Sequence, residues 1–306
     1  MQTTSNILMI RPVAFGLNTQ TADSNAFQNK EASQVEVQAH AAKEFDDFVA
    51  KLIANKINVT VINDTVTPHT PDSIFPNNWI SFHDNGDVFV YPMQAKNRRL
   101  ERRTDLIDQL KSNFKINAIH NLSALENEGI YLEGTGSMVL DRDQKIAYAC
   151  LSIRTQEKAL AQFCDESGFR SVKFHAFDKN GFAIYHTNVM MAVGDQFVVI
   201  CLESVSDENE KLKLRETIIK SGKEIIEISL NQMNQFAGNM LQVKNRDDKS
   251  FLVMSERAFL SLNEDQKQVL STFAEPLYSS LKTIEDNGGG SARCMIAEIH
   301  LPKLNA

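Results

Sequence analysis

The sequence predicts an α/β fold assembled from a repeated unit of β-hairpin, helix and strand. Three observations carry this. Hairpin signals recur at about fifty to sixty residues along the chain. Each is followed by a stretch of helical period and then a short apolar strand, an arrangement typical of units that bury one another. An apolar strand stands near each end of the chain, and the two ends together would complete one further unit.

The N-terminal run Ile7-Leu8-Met9-Ile10, stopped by Arg11-Pro12, reads as a buried strand. Phe15 to Lys30 is polar and without period, and at sixteen residues it is long for a connector, so a lid or binding loop is expected. Glu31 to Asn55 reads as an amphipathic helix on Val35, Val37, Ala41, Phe45, Phe48 and Leu52, and Ile57 to Ile62 as the next strand. Four units follow. The first has a hairpin from Ile80 to Tyr91 turning at Asn85-Gly86, a helix Arg98 to Asn113 and a strand Ile116 to Ile119. The second runs through hairpin Ser137 to Ala149, helix Gln156 to Ser167 and strand Ser171 to Phe174. The third has hairpin Asn188 to Cys201, helix Asp207 to Ser221 and strand Glu224 to Ile228. The fourth has hairpin Asn239 to Met254 and helical sequence from Ser255 to Phe273. Met295 to Leu301 opens a fifth unit as a buried strand, which Ile7 to Ile10 would complete. A ring of five needs the chain ends to meet in one unit, as this pattern provides. Two domains side by side are the alternative the pattern leaves open.

Composition narrows the function. The 306 residues are 42% hydrophobic and 23% charged, enough for a large core, and the net charge is −7. The one basic cluster, Lys96 to Arg103, is short and followed by acids, which disfavours nucleic-acid binding. Cys150, Cys164, Cys201 and Cys294 lie far apart with no CxxC pair, which points to a reducing compartment rather than a disulfide frame. The first residues have no basic and apolar leader pattern, and no apolar run reaches membrane-span length. A soluble, cytoplasmic chain is expected, with no metal and no cofactor. The histidines show no i,i+4 ligand pattern.

The chemistry centres on Gly288-Gly289-Gly290-Ser291-Ala292-Arg293-Cys294. Consecutive glycines give a permissive backbone that lets another group approach closely, and a thiol held where such a loop meets a buried strand is placed as a nucleophile. A buried structural cysteine is the plainer reading. The repeat weighs against it. Asn78, Glu133, His186, Asn239 and Cys294 each stand just before a hairpin, at successive separations of 55, 53, 53 and 55 residues. Equivalent positions in a pseudosymmetric ring lie together at one end. A thiol, an imidazole, a carboxylate and amides are thus gathered from distant sequence, and such constellations are spatial rather than local. Singly, Glu133 would serve as a cap, His186 as a satisfied core histidine and Asn78 as a turn residue.

These motifs resemble the guanidino-group modifying enzymes: arginine deiminases, dimethylarginine dimethylaminohydrolases and amidinotransferases, whose fold is a five-bladed α/β propeller. Phe75 with Asn77-Asn78 sits where that superfamily has Phe and an acidic pair. Arg98-Arg99-Leu100-Glu101 and Ser152-Ile153-Arg154-Thr155 resemble its carboxylate-gripping arginines. Glu133-Gly134, His186-Thr187-Asn188 and Arg293-Cys294-Met295 resemble its catalytic set. More narrowly, Arg11-Pro12 with Asn18, Thr21-Ala22, Asn25 and Phe27, then Phe75-Pro76-Asn77-Asn78-Trp79, resembles the citrulline-utilisation hydrolases. The resemblance implies a small amino-acid substrate, a covalent Cys294 adduct, His186 as acid and base, Glu133 as orienting carboxylate, and Arg154 with Arg98 on the α-carboxylate. Asn78 and Asn188 replace the aspartates with which deiminases hold a guanidinium. A neutral amide suits a ureido group, so hydrolysis of citrulline is expected. Deiminase or dimethylargininase-type activity, amidino transfer and a non-catalytic binding propeller are the alternatives.

Overall fold

The computed structural model describes residues 1–21 and 34–304. Asn25, Phe27 and the start of the helix expected from Glu31 therefore lie outside the described residues, as does most of the expected lid.

The described chain forms five three-stranded sheets of one topology. β1 (Asn6–Arg11) pairs parallel with β2 (Asn58–Asn63), and antiparallel with β15 (Ala297–Glu298), so the two ends of the chain do share a sheet. The other four each take a hairpin and one further strand. They are β3 (Ile80–Phe82), β4 (Asp87–Val90) and β5 (Ala118–Asn121); β6 (Val139–Asp141), β7 (Ile146–Cys150) and β8 (Arg170–Phe174); β9 (Met191–Val193), β10 (Phe197–Ile200) and β11 (Glu224–Glu227); and β12 (Leu241–Lys244), β13 (Ser250–Ser255) and β14 (Glu275–Ser279). In each, the hairpin is antiparallel and the third strand joins the central one in parallel. Parallel neighbours require a crossover, and a helix supplies it in every unit.

The crossover helices are α1 (Gln34–Ala54), α2 (Thr104–Leu110), α4 (Glu157–Ser167), α5 (Glu208–Lys220) and the pair α7 (Glu256–Ser261) and α8 (Glu264–Phe273). α1 buries Val37, Ala41, Phe45, Phe48 and Leu52 at helical spacing. Val35, expected on that face, is 81% exposed. α5 is capped by the Asp207 carboxylate, which accepts from the amides of Asn209 and Glu210. The helical sequence after Ser255 is divided because Leu262 turns extended and Asn263 starts a second helix with a capping box to Gln266. The helix expected from Arg98 to Asn113 is likewise split. Asn97–Glu101 is a 3-10 turn that points Arg98 and Glu101 inward, and α2 begins only at Thr104. The strand expected over Met295 to Leu301 is paired only at Ala297–Glu298; Ser291 to Ile296 is a run of turns.

Strand β1 is apolar on both faces, and those faces enter different cores. Ile7 and Met9 join Phe45, Phe48, Val243 and Cys294, while Leu8 and Ile10 join Ile80, Phe82, Val88 and Leu106. The first sheet therefore shares apolar clusters with the second and with the fifth. Similar clusters join the second to the third, and the third to the fourth and fifth. Among the described residues no helix is long and apolar enough to cross a membrane.

The phase of α1 is testable. Phe45→Ala should cost about 3–5 kcal/mol in equilibrium urea unfolding, whereas Val35→Ala should change stability by less than about 0.5 kcal/mol.

Candidate active site

Each of the five phase residues lies in the turn that leads into the hairpin of its unit or, for Cys294, into β15. Asn78 ends the 3-10 turn Pro76–Asn78, started by a proline whose missing N–H costs nothing there. Glu133 precedes the single helical turn α3 (Gly134–Ser137), and its own N–H is taken by Ser137 Oγ at 2.8 Å. His186 precedes the turn Thr187–Val189, where Thr187 Oγ1 donates to Ser137 O (2.6 Å) and fixes the third unit's turn against the second's. Asn239 follows the short helix α6 (Leu230–Met233) and Phe236, whose φ is +62°. Cys294 lies in the turn that follows α9 (Lys282–Gly288), a helix absent from the sequence reading. Its first glycine ends that helix, and Gly289 caps it with φ +66°. A Cβ on Gly290 would stand 2.8 Å from the Phe75 ring, so the close approach expected of the glycine run is real.

The structure brings these residues into three linked contacts. His186 Nε2 lies 2.8 Å from Glu133 Oε2. Cys294 Sγ accepts from the side-chain amides of Asn188 at 3.3 Å and Asn239 at 3.2 Å. Asn78 Oδ1 accepts from Arg98 Nη1 at 2.9 Å. Gly136 joins the first contact to the third: a Cβ there would fall 2.3 Å from Asn78 Nδ2 and 2.9 Å from His186 Nδ1.

Electrostatics fix the protonation states. Burial alone would raise the pKa of Glu133, but the Arg154 guanidinium at 3.6 Å, the His186 hydrogen bond and Arg98 at 3.7 Å hold it well below the ordinary carboxylate range. Burial pushes His186 down to about 4 against the resistance of Glu133, so the ring is neutral at pH 7. An ionised carboxylate only accepts; hence Nε2 carries the proton and Nδ1, beside Gly136, carries the lone pair. The pair has the tautomer that a base would need. The other three cysteines are also buried, and burial pushes their thiols up, Cys150 to about 12 and Cys164 and Cys201 to about 11.

The two predicted arginines differ in setting. Arg98 is buried and forms a bidentate pair with Glu101 at 2.9 and 3.0 Å, with Asp72 3.6 Å from its Nε. Arg154, also buried, lies over the Tyr185 ring at 4.9 Å and donates to Thr21 O. Phe75 and Asn77 are both buried, with Asn77 Oδ1 accepting from Asn78 Nδ2.

Sequence reasoning gave no role to Asp72, Glu101 or Asn239. Asn239 had a signal in its repeat phase. Asp72 had none, because a single acid in an irregular loop carries no period. Its Oδ2 accepts from Asn18 Nδ2 at 2.7 Å and from Thr21 Oγ1 at 3.4 Å. Among the described residues, Asp72 Oδ1, Asn188 Oδ1, Asn77 Nδ2 and Gln94 Oε1 are buried side-chain atoms without a hydrogen-bond partner. Orphans of this kind are suited to a polar ligand.

The model of the family described as "N,N dimethylarginine dimethylhydrolase, eukaryotic" matches residues 11–301. A search of curated proteins finds no match. Among solved structures, the arginine dihydrolase ArgZ from the ornithine-ammonia cycle in cyanobacteria superposes with a TM-score of 0.73 at 15% identity. That match covers 98% of this chain but 41% of ArgZ, so the chain spans less than half of that enzyme. The product-bound N-terminal domain of ArgZ aligns over 97% of this chain and 98% of the domain, at TM-score 0.74 and 16% identity. A dimethylarginine dimethylaminohydrolase carrying an S-methyl-L-thiocitrulline adduct aligns over 97% of this chain and its whole length, at TM-score 0.66 and 13% identity. At these identities the likeness is one of fold, a mixed α/β fold shared with these guanidino-modifying enzymes.

The buried imidazoles set an acid limit. His186 and His300 both have folded pKa values of about 4, against 6.5 for a free imidazole. As pH falls from 6.5 to 4 the unfolded chain binds protons that the folded chain refuses, so stability falls with pH in that window. In urea unfolding at pH 7, 6 and 5, His186→Gln should show a shallower loss than the parent, by at most about 1.4 kcal/mol per pH unit.

Proposed function

The chain belongs to that dimethylarginine hydrolase family, and from this premise we propose that it is a cysteine hydrolase of citrulline, releasing ornithine, ammonia and carbon dioxide. One observation carries the reading. The groups around the reacting sulfur are neutral amides, while Glu133, the carboxylate beside them, is already matched by Arg98, Arg154 and His186. No carboxylate hydrogen-bonds the sulfur among the described residues, so a guanidinium carbon brought to it would lack an adjacent counter-charge, and a desolvated cation without one costs several kcal/mol. A ureido group is neutral and both donates and accepts. Asn188 Oδ1 and Asn77 Nδ2 offer it an acceptor and a donor, whereas a guanidinium has donors alone. The narrower resemblance to citrulline-utilisation hydrolases agrees with this substrate.

In the proposed mechanism the Cys294 thiolate bonds to the ureido carbon, and the electron pair of the C=O π bond moves onto the ureido oxygen. His186 takes up a proton from solvent at Nδ1 and passes it to the terminal nitrogen, the C=O bond re-forms as the carbon–nitrogen bond breaks, and ammonia leaves. Water deprotonated at Nδ1 then cleaves the carbon–sulfur bond, and the carbamate formed loses carbon dioxide to give ornithine. Glu133 holds the imidazole tautomer throughout. Arg154, with Arg98, attracts the α-carboxylate, and the unpartnered Asp72 Oδ1 receives the α-ammonium. The five sheets, each sharing an apolar cluster with its neighbours and the fifth with the first, support a single five-bladed propeller domain whose axis ends at this site. Four free, buried cysteines accord with a cytoplasmic setting.

A second reading, hydrolysis of arginine, draws on a different count. Asp72, Glu101 and Glu133 outnumber Arg98 and Arg154 in the buried cluster, and a cationic side chain would neutralise the excess.

An assay of ammonia and ornithine with citrulline and arginine side by side separates the two. Citrulline should turn over, with arginine poor. Asn78→Asp should shift the kcat/KM ratio toward arginine by about tenfold or more, as a 1.4 kcal/mol change in differential binding requires. Rapid ammonia release from arginine with citrulline left intact would overturn the proposal.

The carboxylate grip is tested separately. Arg154→Lys should lower kcat/KM for citrulline by about a hundredfold, since an ammonium cannot reproduce the planar fork. Citrulline amide should be discriminated against by the parent and hardly at all by the variant; equal discrimination in both would place carboxylate recognition elsewhere.

A further inference from the structure

We propose that Asn239 is a catalytic residue: its side-chain amide hydrogen-bonds the reacting sulfur and, with Asn188, holds Cys294 as a thiolate. The inference rests on the reading of Cys294 as nucleophile and assigns how the sulfur is ionised.

Asn239 is 1% exposed and its amide is fully used. Nδ2 donates to Cys294 Sγ at 3.2 Å and to Asn188 O at 2.9 Å, while Oδ1 accepts from Arg293 N at 3.1 Å. These partners determine the orientation. Turned by 180°, the amide would set its oxygen against the sulfur and a carbonyl oxygen, and its NH2 against a backbone N–H. The donor must therefore face the sulfur. Arg293 is anchored in turn: its Nη1 donates to Ile296 O at 2.8 Å and its Nη2 to Glu298 Oε2 at 2.7 Å, so the N–H that aims Asn239 belongs to a fixed turn.

The same amide governs the second donor. By holding Asn188 O it fixes the turn from which Asn188 Nδ2 reaches the sulfur at 3.3 Å. No charged group hydrogen-bonds the sulfur among the described residues; the two amides do. Hydrogen bonds to an ionised acceptor are stronger than those to its neutral form, so two convergent N–H groups favour thiolate over thiol without adding a cation to a site built for a neutral substrate.

The test uses substrate-free protein and the rate of iodoacetamide alkylation at Cys294 from pH 5 to 10, located by peptide mass spectrometry. Asn239→Ala should react at least about tenfold more slowly at pH 7, with a midpoint about one unit higher or more, the size expected when a hydrogen bond to a charged group is lost. Asn239→Asp keeps the shape but sets a carboxylate against the sulfur, and should move the midpoint further; it decides the matter if the alanine variant does not fold. A purely structural role would lower melting temperature and turnover without moving the midpoint. A midpoint in Asn239→Asp equal to that of the parent would overturn the proposal. Cys294→Ser with near-parental turnover would overturn the nucleophile reading itself, an outcome distinct from the alkylation profile.

Discussion

The ionised carboxylate of Glu133, with no solvent exposure, is the constraint from which the rest of the site follows. Such a charge is untenable alone in a protein interior, where desolvation costs several kcal/mol. Glu133 has four partners: the His186 ring, the guanidinium groups of Arg98 and Arg154, and the backbone N–H of Gln94 at 3.0 Å. None lies within thirty residues of the carboxylate except Arg154, and each is delivered by a separate turn or strand end. The carboxylate can be buried only once several units have assembled, so the repeat and the site are one problem of folding. Removing any partner would strand part of that charge rather than delete one contact.

Repetition is also why so much was legible in the sequence. Hairpins and crossover helices recur with strong period, and the phase of the residue before each hairpin was readable without any structure. That phase located Asn78, Glu133, His186, Asn239 and Cys294 together. What escaped the reading lacked period. Strand β14 contains Pro276 and charged or half-buried positions, tolerable because it is an edge strand, where a missing N–H faces away from the ladder. Met295 and Ile296 read as part of a strand because the run from Met295 to Ile299 is buried throughout, and burial on all sides erases alternation. Arg98 stands in a basic run that as a helix would offer a solvated face, and only the family resemblance gave it a place at the α-carboxylate. Only tertiary packing shows that it turns inward onto Glu101, leaving Arg99 and Arg102 to pair with Glu126 nearer the surface. Asp72 had no role until Asn18 and Thr21 were seen to reach it.

In the mechanism we propose, the site separates two tasks that many cysteine enzymes combine. In a Cys–His ion pair the imidazolium stabilises the thiolate, and the base is spent in doing so. Here the imidazole is engaged by a carboxylate through Nε2, and the sulfur is engaged by amides. His186 is thus kept neutral with Nδ1 available, and its proton affinity is set by burial and Glu133 rather than by the sulfur. The division has an electrostatic consequence. A thiolate held by neutral donors changes the charge of the site by one unit when it forms, whereas an ion pair does not. A neutral ureido substrate leaves that balance unaltered on entry, and a guanidinium does not. The nature of the groups on the sulfur and the charge of the preferred substrate are therefore coupled: an aspartate in place of either amide would attract a cation to the carbon under attack, and would oppose ionisation of the atom that attacks it.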